Sequence, residues 1–355
     1  MKIAIIGGGI NGIMTAWELC KHHHDVTLFE KNTLMSQTSS ASSKLLHGGL
    51  RYLENFEFRL VKEALRERQW WINQAPDLAR PLKIFIPVYK QSRRLAWLYE
   101  TGLYLYDLFA GKQNIGKHQN HNKASMQGLC PGLKMNGPVK GFSYFDGQME
   151  DYQLGLWAVD QVKQYENFIA MEGVTIDQVN VNGEIYYNGN KEQFDKVINV
   201  AGPWADKLLK DSNIDLDYQL DLIRGSHIII DRKLDQGYFL EAPSERRIFF
   251  VLPCKGQALI GTTEVRQKIS DEIKPAQSEI LNLLSAYNHY FMDSISEEDI
   301  VNSFAGVRPL VKSSNDLNKI TRECAIQTGK NLISLFGGKW TTARQLAKKV
   351  VEFVN

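Results

Sequence analysis

The residues best suited to chemistry in this 355-residue chain gather first at 38–52, TSSASSKLLHGGLRY. Thr38, Ser39, Ser40, Ser42 and Ser43, with Ser36 just ahead, run into Lys44, His47, the pair Gly48–Gly49 and Arg51–Tyr52. Such a run supplies many hydrogen-bond donors, close backbone approach at the glycines and fixed positive charge. That combination suits a large polyanionic ligand. It follows neither the period of an amphipathic helix nor that of a half-buried strand.

A second cluster opens the chain. Gly7-Gly8-Gly9-Ile10-Asn11-Gly12 satisfies G-x-G-x-x-G directly after the apolar, β-branched run Lys2–Ile6. Helical spacing follows through Ile13, Met14, Ala16, Trp17 and Leu19, and a second apolar run, VTLFE, ends in Glu30. This is the strand–turn–helix–strand context in which the motif signals a dinucleotide. Gly7 permits the tight turn, Gly9 lets the backbone approach a pyrophosphate at the helix N-terminus, and Gly12 lets helix pack close to strand. Glu30 can accept two hydrogen bonds from a ribose and disfavours a 2′-phosphate.

Further candidates are scattered. DKVINVAG ends at Ala201–Gly202, ahead of Pro203–Trp204, and is either a second point of close approach or an ordinary strand-to-helix turn. His227 lies in a strand-like run, where a lone histidine is more often a packed residue than a catalyst. Arg308 follows Gly306 in DIVNSFAGVRPLV and Arg322 stands in ITREC; taken alone, both read as surface arginines. Gly337-Gly338-Lys339, with Thr341 and Thr342, precedes the last helix as a second anion-favouring turn. His22, His23 and His24 read as a solvated turn, and no metal site is expected.

Positioning these groups requires a substantial core. The 43% hydrophobic content supplies one, as a single two-part unit or two interleaved domains. Net charge is +2, from 42 basic and 40 acidic side chains, which gives no argument for nucleic acid as partner. The isolated Cys20, Cys130, Cys254 and Cys324 argue against a disulfide framework and for a reducing compartment. Helices are predicted at 53–75, 93–111, 152–165 and 275–292, and at the end of 332–355. Strands are predicted at 81–89, 141–151, 167–176, 195–202 and 299–311, with several antiparallel ones in 215–265. Asn182–Gly183 and Asn188–Gly189 mark hairpins, and 111–140 reads as a loop. In 53–75, Phe56, Leu60, Ala64 and Leu65 form an apolar side, with Glu63, Arg66, Glu67 and Arg68 mostly opposite. The Trp-, Leu- and Tyr-rich helix at 93–111, basic at its start, has two readings: it packs on the second domain, or it rests an apolar face on a membrane.

GGGINGIMTA, TSSASSKLLHGGLRYLENFEFRLVKEALRER, FDGQMED, INVAGPWAD, IRGSHIII, ALIGTTE, FAGVRPLV, ITREC and SLFGGKWTTAR occur in that order. Together they resemble the FAD-dependent glycerol-3-phosphate dehydrogenases, within the D-amino-acid-oxidase-like flavoprotein superfamily. The resemblance implies an α/β chain, α+β overall. Its Rossmann-like FAD-binding domain would comprise 1–75, 141–212 and 300–355, interleaved with a mixed or antiparallel-sheet substrate domain from 76–140 and 213–299. It further implies that Gly7, Gly9, Gly12 and Glu30 hold the ADP half of a non-covalently bound FAD. Ser42, Ser43, Lys44, His47 and Gly48 would line the pyrophosphate and flavin side. Gly173 and Val174 would pass the adenine, Ala201, Gly202 and Trp204 would flank the cofactor, and Gly337, Gly338, Lys339 and Thr341 would close over its isoalloxazine end.

The substrate implied is glycerol 3-phosphate. Its phosphate would rest on Arg51, Arg308 and Arg322, with Tyr52 and Lys339 nearby, because a guanidinium is the best fork for a dianion. Hydride would leave C2 for flavin N5 and yield dihydroxyacetone phosphate. His227 is the first candidate for the base and His47 the second, with Lys339 stabilising the developing alkoxide. Electrons would pass to a quinone or to oxygen. The implied location is the cytoplasm, with peripheral contact at the inner face of a membrane, and a homodimer is compatible. Family members continue past FGGK with a helical domain, so this chain reads as a short form, and Glu264 stands where an Asp is usual. Two other readings stay open: a flavin enzyme for another small hydroxy or amino acid, and an FAD-binding redox module without turnover. Three arginines favour phosphate over a lone carboxylate.

Overall fold

The computed structural model describes residues 1–135, 137–312 and 324–354. Its first sheet is built on the β-branched strand Lys2–Ile6, which pairs in parallel with Asp25–Glu30 on one side and Lys196–Asn199 on the other. Phe168–Glu172 extends it beyond Asp25–Glu30; Leu332–Phe336, then antiparallel Ala325–Thr328, extend it beyond Lys196–Asn199. A central parallel strand must be apolar on both faces. Ile3 and Ile5 accordingly meet the helices Ile10–Lys21, Asp151–Lys163 and Ala343–Val354. Ala4 and Ile6 face Val179 and Ile185 from a small antiparallel sheet, Phe194 just past its last strand, and Leu208 from the helix Ala205–Asp211. Leu346, Ala347, Val350, Val351 and Val354 form the buried stripe of the last helix, at the spacing an amphipathic helix requires.

The second sheet has ten strands among the described residues. Its path runs Val265–Arg266, Leu220–Ile230, Gln257–Gly261, Ile248–Cys254, Gly237–Glu241, Ala79–Tyr89, Pro138–Met149 and Leu45–Leu46. Ile300–Val311 pairs along Leu220–Ile230, and Gln119–His121 along Pro138–Met149. Pairing is antiparallel except between Gly237–Glu241 and Ala79–Tyr89. The helix Gln277–Tyr290 buries Leu283, Leu284 and Tyr287 in the core under one half of this sheet.

The element order matches the sequence expectation closely, with instructive departures. Residues 111–140 are not a plain loop: they hold Gln119–His121 and the helix Lys123–Leu129, whose cap Asn122 accepts the Ser125 N–H. YQLDLIRG and SHIIID are one strand, Leu220–Ile230. Pro138–Met149 and Ile300–Val311 hydrogen-bond within the larger sheet, so the expected segments 141–212 and 300–355 do not follow the sheet boundary. The helix expected from residue 53 runs Phe58–Gln74, and Phe56 is exposed. Glu67 and Arg68, expected on its polar side, are buried because each has an ionic partner inside: Arg344 binds Glu67 through two bonds of 2.8 and 2.9 Å, and Asp146 binds Arg68 at 3.1 Å. His24 is likewise buried, not solvated.

Candidate active site

A cavity of about 800 Å³ runs between the two sheets. One end is the turn after the first strand. Gly7 sits at φ +114°, and a Cβ there would lie 2.6 Å from the Val200 carbonyl oxygen. Gly12 lets the helix Ile10–Lys21 close on that turn, since its Cβ would come within 1.9 Å of Gly7 O. Gly7 and Gly9 line the cavity, whereas Gly12 acts behind the wall. The Glu30 carboxylate accepts from the N–H groups of Gly8 (2.7 Å) and Asn32 (2.9 Å), one on each oxygen. Each oxygen keeps a lone pair for a further donor. Val174, Ala201, Gly202 and Trp204 line the same end, with Gly173 in the adjoining turn at φ +73°. Lys31 stands 3.3 Å above the Trp204 ring.

The hydroxyl-rich run crosses the middle of the cavity. Ser39 Oγ accepts from Ile10 N–H at 3.0 Å, which ties the run to the helix N-terminus. Trp340 Nε1–H donates to Ser39 O at 3.0 Å, which ties it to the Gly337–Thr341 turn. Ser42, Ser43 and His47 line the cavity, but Lys44 and Gly48 do not. Lys44 Nζ is turned away onto Asp151 Oδ1 (2.5 Å) and Ser40 O (2.8 Å), and the same carboxylate accepts the Ser42 hydroxyl at 2.7 Å. The expected pyrophosphate cation is thus spent inside the protein, where a buried carboxylate demands a partner. Gly48 is pulled inward as well: its N–H meets Tyr106 Oη and Asp146 Oδ1, at 2.9 and 3.0 Å.

The other end belongs to the large sheet and two turns. In the register of Leu220–Ile230, His227 lies opposite Gly261 on one neighbour and Phe304 on the other. Gly261 is required there, because a Cβ would sit 2.1 Å from His227 Cδ2. The imidazole stacks on Phe304 at 4.8 Å, and its Nε2 is 2.9 Å from Ser43 Oγ. Nδ1 is buried without a hydrogen-bond partner among the described residues. Burial, then the positive charges of Arg308 and Lys44, pushes the imidazole pKa down to about 3, so the ring is neutral at physiological pH. Arg308 donates to Thr263 O at 3.2 Å and to Glu264 Oε1 at 3.3 Å. Gly225 and Gly306 face each other across the strands. A Cβ on Gly306 would stand 2.5 Å from Ala41 O, so Gly306 lets the 38–43 run lie against the sheet, whereas a Cβ on Gly225 would stand 2.3 Å from Thr262 Oγ1.

From the turns come Arg51, Tyr52 and Lys339, all lining the cavity, with Gly337, Gly338 and Thr341 beside them. Lys339 Nζ stands 4.0 Å above the Tyr52 ring, and the His47 ring lies 6.1 Å from it. Arg322 falls outside the described residues. Sequence reading named Ser39 only as one of the hydroxyl run, and it assigned no role to Phe304, Gly261, Thr263 or Asp146. Gly261 and Thr263 lie in the quoted IGTTE run, but only strand register shows that they seat His227 and Arg308.

The residues present fit FAD. Two glycines clear the turn, Glu30 and the helix N-terminus supply ribose and pyrophosphate partners, and Asn11 Oδ1 is a buried acceptor with no partner among the described residues. Comparison with known proteins agrees. Residues 2–352 match the family model described as FAD dependent oxidoreductase. The chain is 35% identical over 99% of its length to the aerobic glycerol-3-phosphate dehydrogenase of Escherichia coli, spanning 72% of that protein. It is 34% identical over 97% of its length to the D-erythritol 1-phosphate dehydrogenase of Brucella abortus, again spanning 72% of the relative. The fold superposes with a TM-score of 0.79 on the FAD-complexed glycerol-3-phosphate dehydrogenase of Bacillus halodurans, at 23% identity, covering all of this chain and 64% of that one. The chain belongs to the FAD-dependent oxidoreductase family.

Proposed function

We propose that this protein oxidises a small polyol phosphate, glycerol 3-phosphate foremost, at the carbinol next to the phosphate-bearing carbon. The observation that carries this reading is the pairing of a neutral, buried His227 with the Arg308 guanidinium in a cavity whose far end is a dinucleotide cradle. The relatives named above act on polyol phosphates, by their names, which supports the same class.

Bound FAD supplies the hydride acceptor. The chain's own residues do the rest. Arg308, Arg51 and Lys339 offer the cavity fixed positive charge for a phosphate dianion, with Arg322 as a further candidate. Tyr52 packs beneath Lys339 and holds its ammonium in place. His227 takes the hydroxyl proton at Nε2, the nitrogen beside the Ser43 hydroxyl. A base with so low a pKa is weak, but a dianion on Arg308 cancels one of the charges that depress it. Substrate binding therefore strengthens the base that substrate needs. Lys339, which lines the same cavity, would offset the alkoxide as it develops.

For the acceptor we infer a membrane quinone. Leu95, Trp97, Tyr104 and Leu108 on and before the helix Ala96–Ala110 are well exposed, and Phe56 joins them through Phe58 and Phe109. An apolar ridge of this kind suits a bilayer surface. Arg93 and Arg94 are tied to Glu241, Glu54 and backbone carbonyls, so the ridge and not this basic start would make the contact.

The test is anaerobic. Glycerol 3-phosphate added to the purified holoprotein should bleach the visible flavin band. A flavin that stays oxidised with this substrate and with erythritol phosphate would sink the reading. A soluble quinone should then restore the colour.

A further inference from the structure

Behind the cavity wall lies a buried carboxylate that the chemistry above does not use. Glu279, in the first turn of the helix Gln277–Tyr290, is 4% exposed. Its Oε1 accepts from Thr263 Oγ1 at 2.5 Å and from Ser226 Oγ at 2.9 Å. Its Oε2 accepts from Arg224 Nε at 2.9 Å and from the Ala276 N–H at 3.0 Å. Burial alone would raise its pKa; the bonds from Thr263, Ala276, Ser226 and Arg224 outweigh that and bring it below the ordinary value. Glu279 does not line the cavity.

Both hydroxyls on Oε1 belong to segments that carry working groups. Ser226 immediately precedes His227. Thr263 is the residue whose carbonyl accepts Arg308, and Glu264, next along, accepts the other guanidinium nitrogen. Thr263 Oγ1 also accepts the Ser226 N–H at 2.8 Å, which closes a ring of bonds between the two segments. The turn after Gln257–Gly261 and the middle of Leu220–Ile230 are thus locked to one anion.

Building on the polyol-phosphate reading, we infer that Glu279 is a positioning residue that sets the distance between the His227 base and the Arg308 cation. Removing its charge leaves four donors converging on a group that must itself donate. Thr263 then shifts, and Arg308 loses the carbonyl that aims it. Such supporting contacts matter because small misplacement of a working group is costly. The competing role is purely structural: Glu279 caps its helix at Ala276 and pairs with Arg224.

Two variants separate these roles in the holoprotein. Glu279→Gln should keep its FAD and raise both the KM for glycerol 3-phosphate and the Kd for inorganic phosphate, read as a perturbation of the flavin spectrum, by about 10- to 100-fold. Arg224→Lys disturbs the ion pair and spares the Ser226 and Thr263 bonds; it should lower Tm and leave the phosphate Kd unchanged. Should Glu279→Gln not fold, Thr263→Val breaks the same link and should raise the phosphate Kd, while Thr263→Ser restores it. A wild-type phosphate Kd in Glu279→Gln, or in Thr263→Val, overturns the inference. Wild-type holoprotein that glycerol 3-phosphate fails to reduce overturns the substrate reading instead, and the phosphate titration still judges Glu279.

Discussion

Nε2 of His227 lies 2.9 Å from Oγ of Ser43, although 184 positions separate them in the chain. The bond joins the hydroxyl-rich run to the large sheet, so the groups expected to hold cofactor and those expected to handle substrate share one fixed contact. It also decides which imidazole nitrogen has a polar neighbour. His227→Asn should therefore reduce kcat by roughly 10²- to 10⁴-fold, the usual worth of a positioned base. FAD content should be unchanged and KM only slightly altered. A kcat within a factor of a few of wild type, in stopped-flow reduction of the flavin, would transfer the role to His47 or to solvent.

The depressed pKa of His227 makes two pH predictions. The folded value, about 3, lies below the ordinary 6.5, so the fold favours the neutral ring. That contribution is fully present above pH 6.5 and is lost as pH falls from 6.5 towards 3, because the unfolded chain then binds a proton that the folded one refuses. Within the window, stability should fall by about 1.4 kcal/mol per pH unit from this group. His227→Asn should remove that component from the pH dependence of urea denaturation. In kinetics, kcat/KM reports the free enzyme and kcat the substrate complex. The acid limb of kcat should lie at higher pH than the His227 limb of kcat/KM, since the bound dianion offsets Arg308. Coincident limbs would contradict substrate-strengthened basicity.

Arg308→Ala should leave FAD bound and raise the KM for glycerol 3-phosphate steeply. Losing one partner of a desolvated charge pair costs roughly 2–5 kcal/mol, about 30-fold or more in KM. Anaerobic titration of flavin bleaching measures it directly. Wild-type affinity in this variant would exclude Arg308 from phosphate binding.

Gly261→Ala tests register without touching a polar group. The new methyl would press 2.1 Å from His227 Cδ2, and the ring cannot yield freely between Phe304 and Ser43. A drop in kcat of about 100-fold with normal FAD content is expected, the cost of a displacement near 1 Å. An unaltered kcat would show that the ring has room to move.

Asp146→Ala should be mainly a stability lesion. The carboxylate accepts from Arg68, Tyr106 and the Gly48 N–H, and Arg68 is 1% exposed. Truncation removes the carboxylate from a buried guanidinium and leaves it the Phe145 and Gln113 carbonyls, at a cost of roughly 3–5 kcal/mol. Urea denaturation should show that loss, with some weakening of FAD retention as the Gly48–Gly49 turn relaxes. An unchanged midpoint would mean that Arg68 finds another partner.

The nucleotide end was legible in the sequence because its parts are local. A strand, a glycine turn, a helix and an acid lie within 30 residues, and each has a short-range steric or dipolar reason. The family motifs also marked Arg51, Arg308 and Lys339, which do line one cavity. Tertiary structure decided what spacing could not. It spent Lys44 on Asp151, buried Glu67 and Arg68 against Arg344 and Asp146, and set Gly261 and Phe304 on either side of His227. Those outcomes depend on partners far away in sequence. The fate of a charge is fixed by whether folding brings an opposite charge to it, and pairing register decides which side chain a glycine must clear.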